Sequence, residues 1–192
     1  MTRHIPAFLG CVIILLVAGG PIGYSFYSQS HIRNLRLVRE GVLYRSGQMS
    51  RSGLKAVIRD YGIKTVISLR DSVLANERPP DWAEEEFCAA EGINYCRISP
   101  RVWLTPDGRT PAEEGVHQFL AVMDDPKNFP VLIHCYAGIH RSGAFTAIYR
   151  MEYEHYSNAR AIAELRSHGY TALEDEWDLL GYLEQYVPRK ER

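Results

Sequence analysis

The chain has 192 residues, 22 Lys and Arg against 23 Asp and Glu, a net charge of −1, four cysteines and seven histidines. A near-neutral balance with both signs interspersed excludes the broad basic footprint of a nucleic-acid binder. One cysteine sits in an apolar N-terminal run and the others suggest no disulfide framework, while the histidines show no paired ligand spacing, so neither a metal nor another cofactor is expected.

An uncharged stretch runs from Ile5 to Ser30, with its apolar heart at Ala7 to Gly20. A run of about eighteen such residues is near the lower limit for crossing a bilayer. Tyr24, Phe26 and Tyr27 suit an interfacial aromatic belt. A cleaved signal peptide is the alternative, although Pro21 directly after Gly19-Gly20 is awkward for processing. Residues 1–30 are therefore expected to be a single-pass transmembrane anchor with its juxtamembrane segment, and residues 31–192 one globular domain with a sizeable core. Arg3 on one flank and Arg33, Arg36 and Arg39 on the other nearly balance, so charge does not fix the orientation.

After the anchor the pattern predicts a hairpin, Leu35–Glu40 and Val42–Arg45 around Gly41, then a helix from Ser52 to Tyr61. Strand Thr65–Leu69, helix Asp81–Glu91 and strand Asn94–Ile98 follow, with Gly62 and Gly92 at helix stops. A Pro- and Gly-containing loop, RVWLTPDGRTP, leads to helix Glu113–Met123, strand Val131–His134 and three closing helices, Phe145–Glu154, Ala159–Ser167 and Glu174–Tyr186. Alternating strands and helices imply an α/β fold: a single, mainly parallel sheet with helices on both faces. Such sheets collect ligand loops at one edge, which would gather the chain after Leu69, Ile98 and His134. The acidic run Glu174-Asp175-Glu176 is read as an ordinary helix first turn.

The most informative segment is VLIHCYAGIHRSG, Val131 to Gly143, which sets Cys135, five residues, Arg141, Ser142 and Gly143 between a buried strand and a helix. Helix-start N–H groups lack intrahelical partners and the dipole adds partial positive charge, so an anion can be held by backbone donors. A cysteine there, beside a guanidinium, ionises readily. Arg141 has the planar fork that binds two phosphate oxygens at once. Ser142 can donate to the sulfur, favouring the thiolate at rest and as a leaving group. Gly138 and Gly143 would allow close approach of the backbone to the anion and positive φ. His134 is read as supporting the loop through hydrogen bonds rather than as a base.

The segment HCYAGIHRSG resembles the His-Cys-x5-Arg-Ser/Thr-Gly loop of cysteine-dependent protein-tyrosine phosphatases, closest to their compact dual-specificity-like bacterial branch. GVLYRSGQMSRSGL, YGIKTVISLRD and DDPKNFPVLIHC are also similar to blocks of that branch, so the likeness runs from about Leu37 to about Tyr186. The resemblance implies a protein-tyrosine-phosphatase-like fold over 31–192 and hydrolysis of a phosphomonoester through a cysteinyl-phosphate. Tyr136, Ala137, Gly138, Ile139, His140 and Arg141 would bind the phosphate. It also implies an aspartate acid on a loop some thirty residues before the cysteine, for which Asp107 is the best match. A Pro-Asp-Gly turn that only bonds its own backbone is the plain alternative, and Asp71, after a strand end, is the runner-up acid.

Between Cys135 and Arg141 there is no lysine of the kind that relatives acting on inositol lipids or inositol pyrophosphates carry. Phosphotyrosine in a protein, with phosphoserine or phosphothreonine, is therefore the expected substrate. An inositol-phosphate or phosphoinositide phosphatase is the alternative, if Arg70, Arg97, Arg101 and Arg109 converge on the mouth. A non-catalytic phosphate-binding module is a reading of another class, as are sulfur transfer and arsenate reduction. Cys88 and Cys96 could resolve an oxidised Cys135, but their positions favour core packing. For a bacterial member the anchor implies the inner membrane, and a reactive thiol favours the cytoplasmic side.

Overall fold

The computed structural model describes residues 31–72, 77–99 and 101–191, with Val17, Gly19, Gly20, Pro21, Gly23 and Tyr24. Among these no helix is long and apolar enough to cross a membrane. The span expected over Ile5 to Ser30 lies almost wholly outside the described residues.

The strands are β1 (Arg36–Arg39), β2 (Leu43–Ser46), β3 (Thr65–Ser68), β4 (Asn94–Arg97) and β5 (Val131–His134). They form one sheet in the order β1-β2-β5-β3-β4. The β1–β2 pair is antiparallel, with a register shift between Leu37 and Arg39, and the other pairings are parallel. In this register Ser46 and Ser68 flank His134, and Arg97 pairs with Ser68. The carboxyl ends of four strands thus share one edge, as the alternation of elements requires.

The helices are α1 (Arg51–Tyr61), α2 (Trp82–Ala90), α3 (Glu113–Asp124), α4 (Arg141–Glu154), α5 (Asn158–Ser167) and α6 (Trp177–Gln185). Period-two alternation divides the strands between two cores. Tyr44, Val66 and Leu132 pack with Leu54 and Val57 of α1 and Cys88 of α2. Leu43, Ile67, Val131 and Ile133 pack with α3, α4, α5 and α6 on the other face. Local chemistry sets the ends of α1: the Ser50 hydroxyl accepts from Gly53 N, and Gly62 closes the helix at φ 64°.

Two boundaries differ from expectation. α4 begins at Arg141 rather than Phe145, so Ser142 and Gly143 belong to its first turn. Gly143 therefore has no positive φ, and its role is close packing: a Cβ there would come 2.5 Å from Leu165 Cδ1 and 3.3 Å from Arg45 Nη1. The last helix starts at Trp177, because Leu173–Asp175 forms a separate 3-10 turn. There Leu173 is buried in the core, and Glu176 accepts from the Tyr170 hydroxyl.

Candidate active site

Cys135 follows β5 directly, and the chain then turns through five residues into α4. The carbonyls of this turn point outward to partners: Tyr136 O accepts from Gln48 N at 3.0 Å and Ala137 O from Asn34 Nδ2 at 2.7 Å. With its acceptors occupied outside, the loop turns its N–H groups inward. Gly138 N donates to Cys135 Sγ at 3.2 Å, and the Ser142 hydroxyl lies 3.5 Å from the same atom. Gly138 adopts φ 77°, and a Cβ there would come 2.3 Å from Gly47 N, so only glycine fits.

Burial opposes ionisation of Cys135, but the Ser142 hydroxyl and the N–H groups of Ser142, Gly138 and Ile139 outweigh it and lower the thiol's pKa. The other described cysteines go the opposite way. Burial pushes Cys88 up to about 12 and also raises Cys96. Both are packing residues, as expected from their positions, and the thiol that ionises early is the one in the loop.

Arg141 opens α4 with an exposed side chain, and its Nη1 donates to Leu69 O at 3.3 Å. This bond to the end of β3 holds the guanidinium at a cleft shared with Ser99, Arg101 and Trp103. His140 stacks on Tyr170 with ring centroids 4.5 Å apart. His134 is 2 % exposed and its Nε2 lies 2.6 Å from Glu84 Oε1. Gln48 Nε2 donates to the other Glu84 oxygen at 2.7 Å. His134 is thus buried directly before the nucleophile with Glu84 as its close polar neighbour.

Asp81, Glu84 and His134 bring three potential metal donors within 4.8 Å of one another. Asp81, however, already accepts from Ser68, Arg97 and, at 3.1 Å, Tyr95. Burial disfavours its charge, yet the Ser68 and Arg97 hydrogen bonds leave the carboxyl below its usual range. Asp81 is thus engaged by Ser68, Tyr95 and Arg97, and the Arg97 guanidinium is its counter-charge. This engagement also explains why Asp81 does not cap α2: its oxygens are spent on the sheet edge.

The structure does not bring Asp107 to the thiol. Its exposed carboxylate accepts from the Thr105 hydroxyl and, at 2.7 Å, from Arg109 Nε, and these bonds lower its pKa. Trp103 anchors the loop by packing against Phe145 and Tyr182, and Asp107 lies in the turn beyond that anchor. Asp71 is half-buried beside β3 and accepts from the Ser99 hydroxyl. Of the four arginines that could converge, Arg97 and Arg109 are consumed by carboxylates. Arg101 shares the Arg141 cleft, and the Arg70 guanidinium lies 5.3 Å from the Tyr136 ring centroid. Glu176 and Asp178, read as ordinary helix-start acids or passed over, line a groove with Arg141 and His140.

Sequence reasoning missed Arg45, in β2. It is 2 % exposed, and its Nη2 has no partner among the described residues. Burial, then the nearby Arg36 charge, pushes its pKa down to about 10, whereas Cys135 as a thiolate would raise it. The signal available was a short strand that had to be covered on both faces. Glu84, Gln48 and Arg33, which brace the loop from other segments, gave no local signal.

A loop of N–H donors around an ionisable cysteine, closed by a serine and opened to an arginine, defines a cysteine-dependent phosphatase of the protein-tyrosine-phosphatase type. The chain belongs to the family described as "DSP-PTPase phosphatase fused to NAD+ Kinase", whose model matches residues 24–178. It is 30% identical over 145 residues to the inositol diphosphatase DSP1 of Oryza sativa subsp. japonica, covering 69% of this chain and 61% of that protein. It is 39% identical over 61 residues to the mouse dual specificity protein phosphatase CDC14B, 32% of this chain and 12% of that protein. The chain thus spans less than two thirds of either relative. Among solved structures, the core catalytic domain of the PP-IP phosphatase SIW14 from S. cerevisiae matches with a TM-score of 0.62 at 21% identity, covering 83% of this chain and 89% of that one. P. aeruginosa TpbA matches with a TM-score of 0.61 at 20% identity, covering 84% and 93%. Both share the fold.

Proposed function

We propose that the chain hydrolyses phosphomonoesters of proteins, phosphotyrosine foremost and phosphoserine or phosphothreonine with it, through a cysteinyl-phosphate on Cys135. The observation that carries this is the lowered thiol held by Ser142 and the inward N–H groups. Cys135 attacks phosphorus and the ester P–O bond breaks, while Gly138, Ile139, His140 and the start of α4 face the phosphate oxygens. Among the described residues Arg141 is engaged through Nη1, on Leu69 O, which leaves Nε and Nη2 for two oxygens. Asp107 protonates the departing oxygen once its loop moves and the Arg109 contact is exchanged. Water then attacks phosphorus, the P–S bond breaks, Asp107 takes the proton and the Ser142 hydroxyl steadies the returning thiolate.

A loop interior without lysine, Tyr136 to His140, suits a single phosphate at the reacting position, on a less charged or aromatic carrier. TpbA has been solved with pTyr, which fits the same choice. A second reading, an inositol-phosphate phosphatase, is favoured by Arg101, which lines the Arg141 cleft with no carboxylate partner among the described residues. The rice relative is an inositol diphosphatase, which agrees with that alternative.

The deciding experiment compares kcat/KM on a phosphotyrosyl peptide and on a panel of inositol phosphates, with Cys135→Ser alongside. The wild type is expected to favour the peptide and the variant to bind without turnover. A large preference for an inositol phosphate reverses the order of the two readings, and turnover by pure Cys135→Ser removes the cysteinyl-phosphate.

A further inference from the structure

Beside the catalytic loop two guanidinium groups share one exposed ring. Tyr136, the residue after the nucleophile, is 60 % exposed. Arg33 lies 4.8 Å from its ring centroid and Arg70 5.3 Å. A cation over an exposed aromatic face is attracted by the ring's negative face, so one arginine is easily explained. Two around the same ring repel each other. Neither has a carboxylate partner among the described residues, although Arg97 and Arg109 nearby do.

Both arginines are held in place. Arg70 Nη1 donates to Gln48 Oε1 at 3.0 Å. Gln48 in turn is fixed by its backbone N–H on Tyr136 O at 3.0 Å and its side-chain amide on Glu84 at 2.7 Å. Arg33 lies in a segment clamped at several points. Ser50 N donates to His31 O at 3.2 Å, Gly47 N to Arg33 O at 2.8 Å, and Asn34 Nδ2 to Ala137 O at 2.7 Å. The segment crosses α1 at Gly53, where a Cβ would stand 1.9 Å from His31 O. These bonds restrict the arginine stems in advance, which reduces the ordering cost of binding. Arg33 also holds the Tyr136 phenol below its ordinary value through a hydrogen bond and its charge.

We propose that Arg33 and Arg70, with Tyr136 between them, form a second anion subsite, which recognises a carboxylate or phosphate carried by the same substrate molecule as the phosphate cleaved at Cys135. The subsite rests on the reading of Cys135 as nucleophile and adds to it a preference for substrates with two anionic groups. The chemistry is a forked donor pair without a counterion. An acidic residue flanking a phosphotyrosine or a second phosphate on a small polyol can each supply the anion.

The test uses the full chain and two substrate pairs: a phosphotyrosyl peptide with neutral or with aspartate flanks, and an inositol monophosphate or a bisphosphate. The readout is the ratio of kcat/KM for the doubly to the singly charged member. It should exceed one in at least one pair, shrink with added salt, and fall about tenfold, mostly through KM, in the Arg33→Gln/Arg70→Gln double variant, since each tenfold is about 1.4 kcal/mol. Arg33→Gln alone leaves the Gln48 anchor of Arg70 in place and should give part of the fall even if the double variant folds poorly. A ratio that responds only in the peptide pair names an acidic protein segment as the source, and only in the inositol pair a polyphosphate. Ratios unchanged in both pairs, with the wild type active, overturn the subsite alone. A wild type inactive on every monoester overturns the phosphatase reading beneath it.

Discussion

Replacing Ser142 by alanine removes a fully buried hydroxyl 3.5 Å from Cys135 Sγ and little else. A hydrogen bond to a charged group contributes about 1.5–3 kcal/mol. The separation argues for the lower end, and the backbone donors of Gly138, Ile139 and Ser142 remain. At about 1.4 kcal/mol per pKa unit, the thiol should ionise about one unit higher in Ser142→Ala. The same loss at the leaving thiolate should slow breakdown of the phosphoenzyme about tenfold. Iodoacetate alkylation against pH measures the first effect, and a stopped-flow burst with p-nitrophenyl phosphate the second. An unchanged thiol titration together with no burst would refute the role given to Ser142. The folded thiol ionises below its unfolded value. Its linked stability is therefore fully present above about pH 8.5 and is lost as pH falls through the folded pKa.

Asp107→Asn should slow aryl phosphates with poor leaving groups far more than those with good ones and remove the alkaline fall of kcat/KM, leaving the rise through Cys135 ionisation; if Asp71→Asn does this instead, the acid lies at the strand edge. Gly138→Ala places a side chain at φ 77° and against Gly47 N, so a stability loss of about 1–3 kcal/mol and a raised thiol pKa are expected, checked by urea unfolding and by alkylation. Glu152→Ala strips the buried acceptor from the Tyr186 hydroxyl, Arg189 N and Arg189 Nε. Unfolding should be easier by about 2 kcal/mol with an unaltered thiol titration, and a change within about 0.5 kcal/mol would count against that clasp.

The Cys135–Gly143 loop was legible because its chemistry is contiguous: nucleophile, donors and guanidinium occupy nine successive positions. The sheet was legible for a related reason, since Val131 to Ile133 and Thr65 to Leu69 are short apolar runs between helical patterns. Asp107 was placed on the loop before α3, yet its carboxylate points to Arg109, because a side chain's direction within a turn depends on local bonds that spacing does not encode. The start of α4 was read late, as Arg141, Ser142 and Gly143 lack apolar periodicity; Ser142 and Gly143 are buried there, with Gly143 packed closely on Leu165. Gln48, Glu84 and Arg33 come from three separate segments. Their meeting is a product of the fold, and no pattern along the chain announces it.

Arg45 bears on how the protein can be studied. A shielded guanidinium whose Nη2 is unsatisfied among the described residues, set near an anion cradle and only partly offset by Glu164, leaves an imbalance of positive potential. An oxyanion seated at the loop relieves that imbalance in the native state alone, so melting temperature becomes an affinity scale. At one hundred times its dissociation constant, a ligand should add about 2.7 kcal/mol. Inert tetrahedral oxoanions and phosphate mimics could thus be ranked by heating alone, without a chromogenic reaction and before the natural ester is identified.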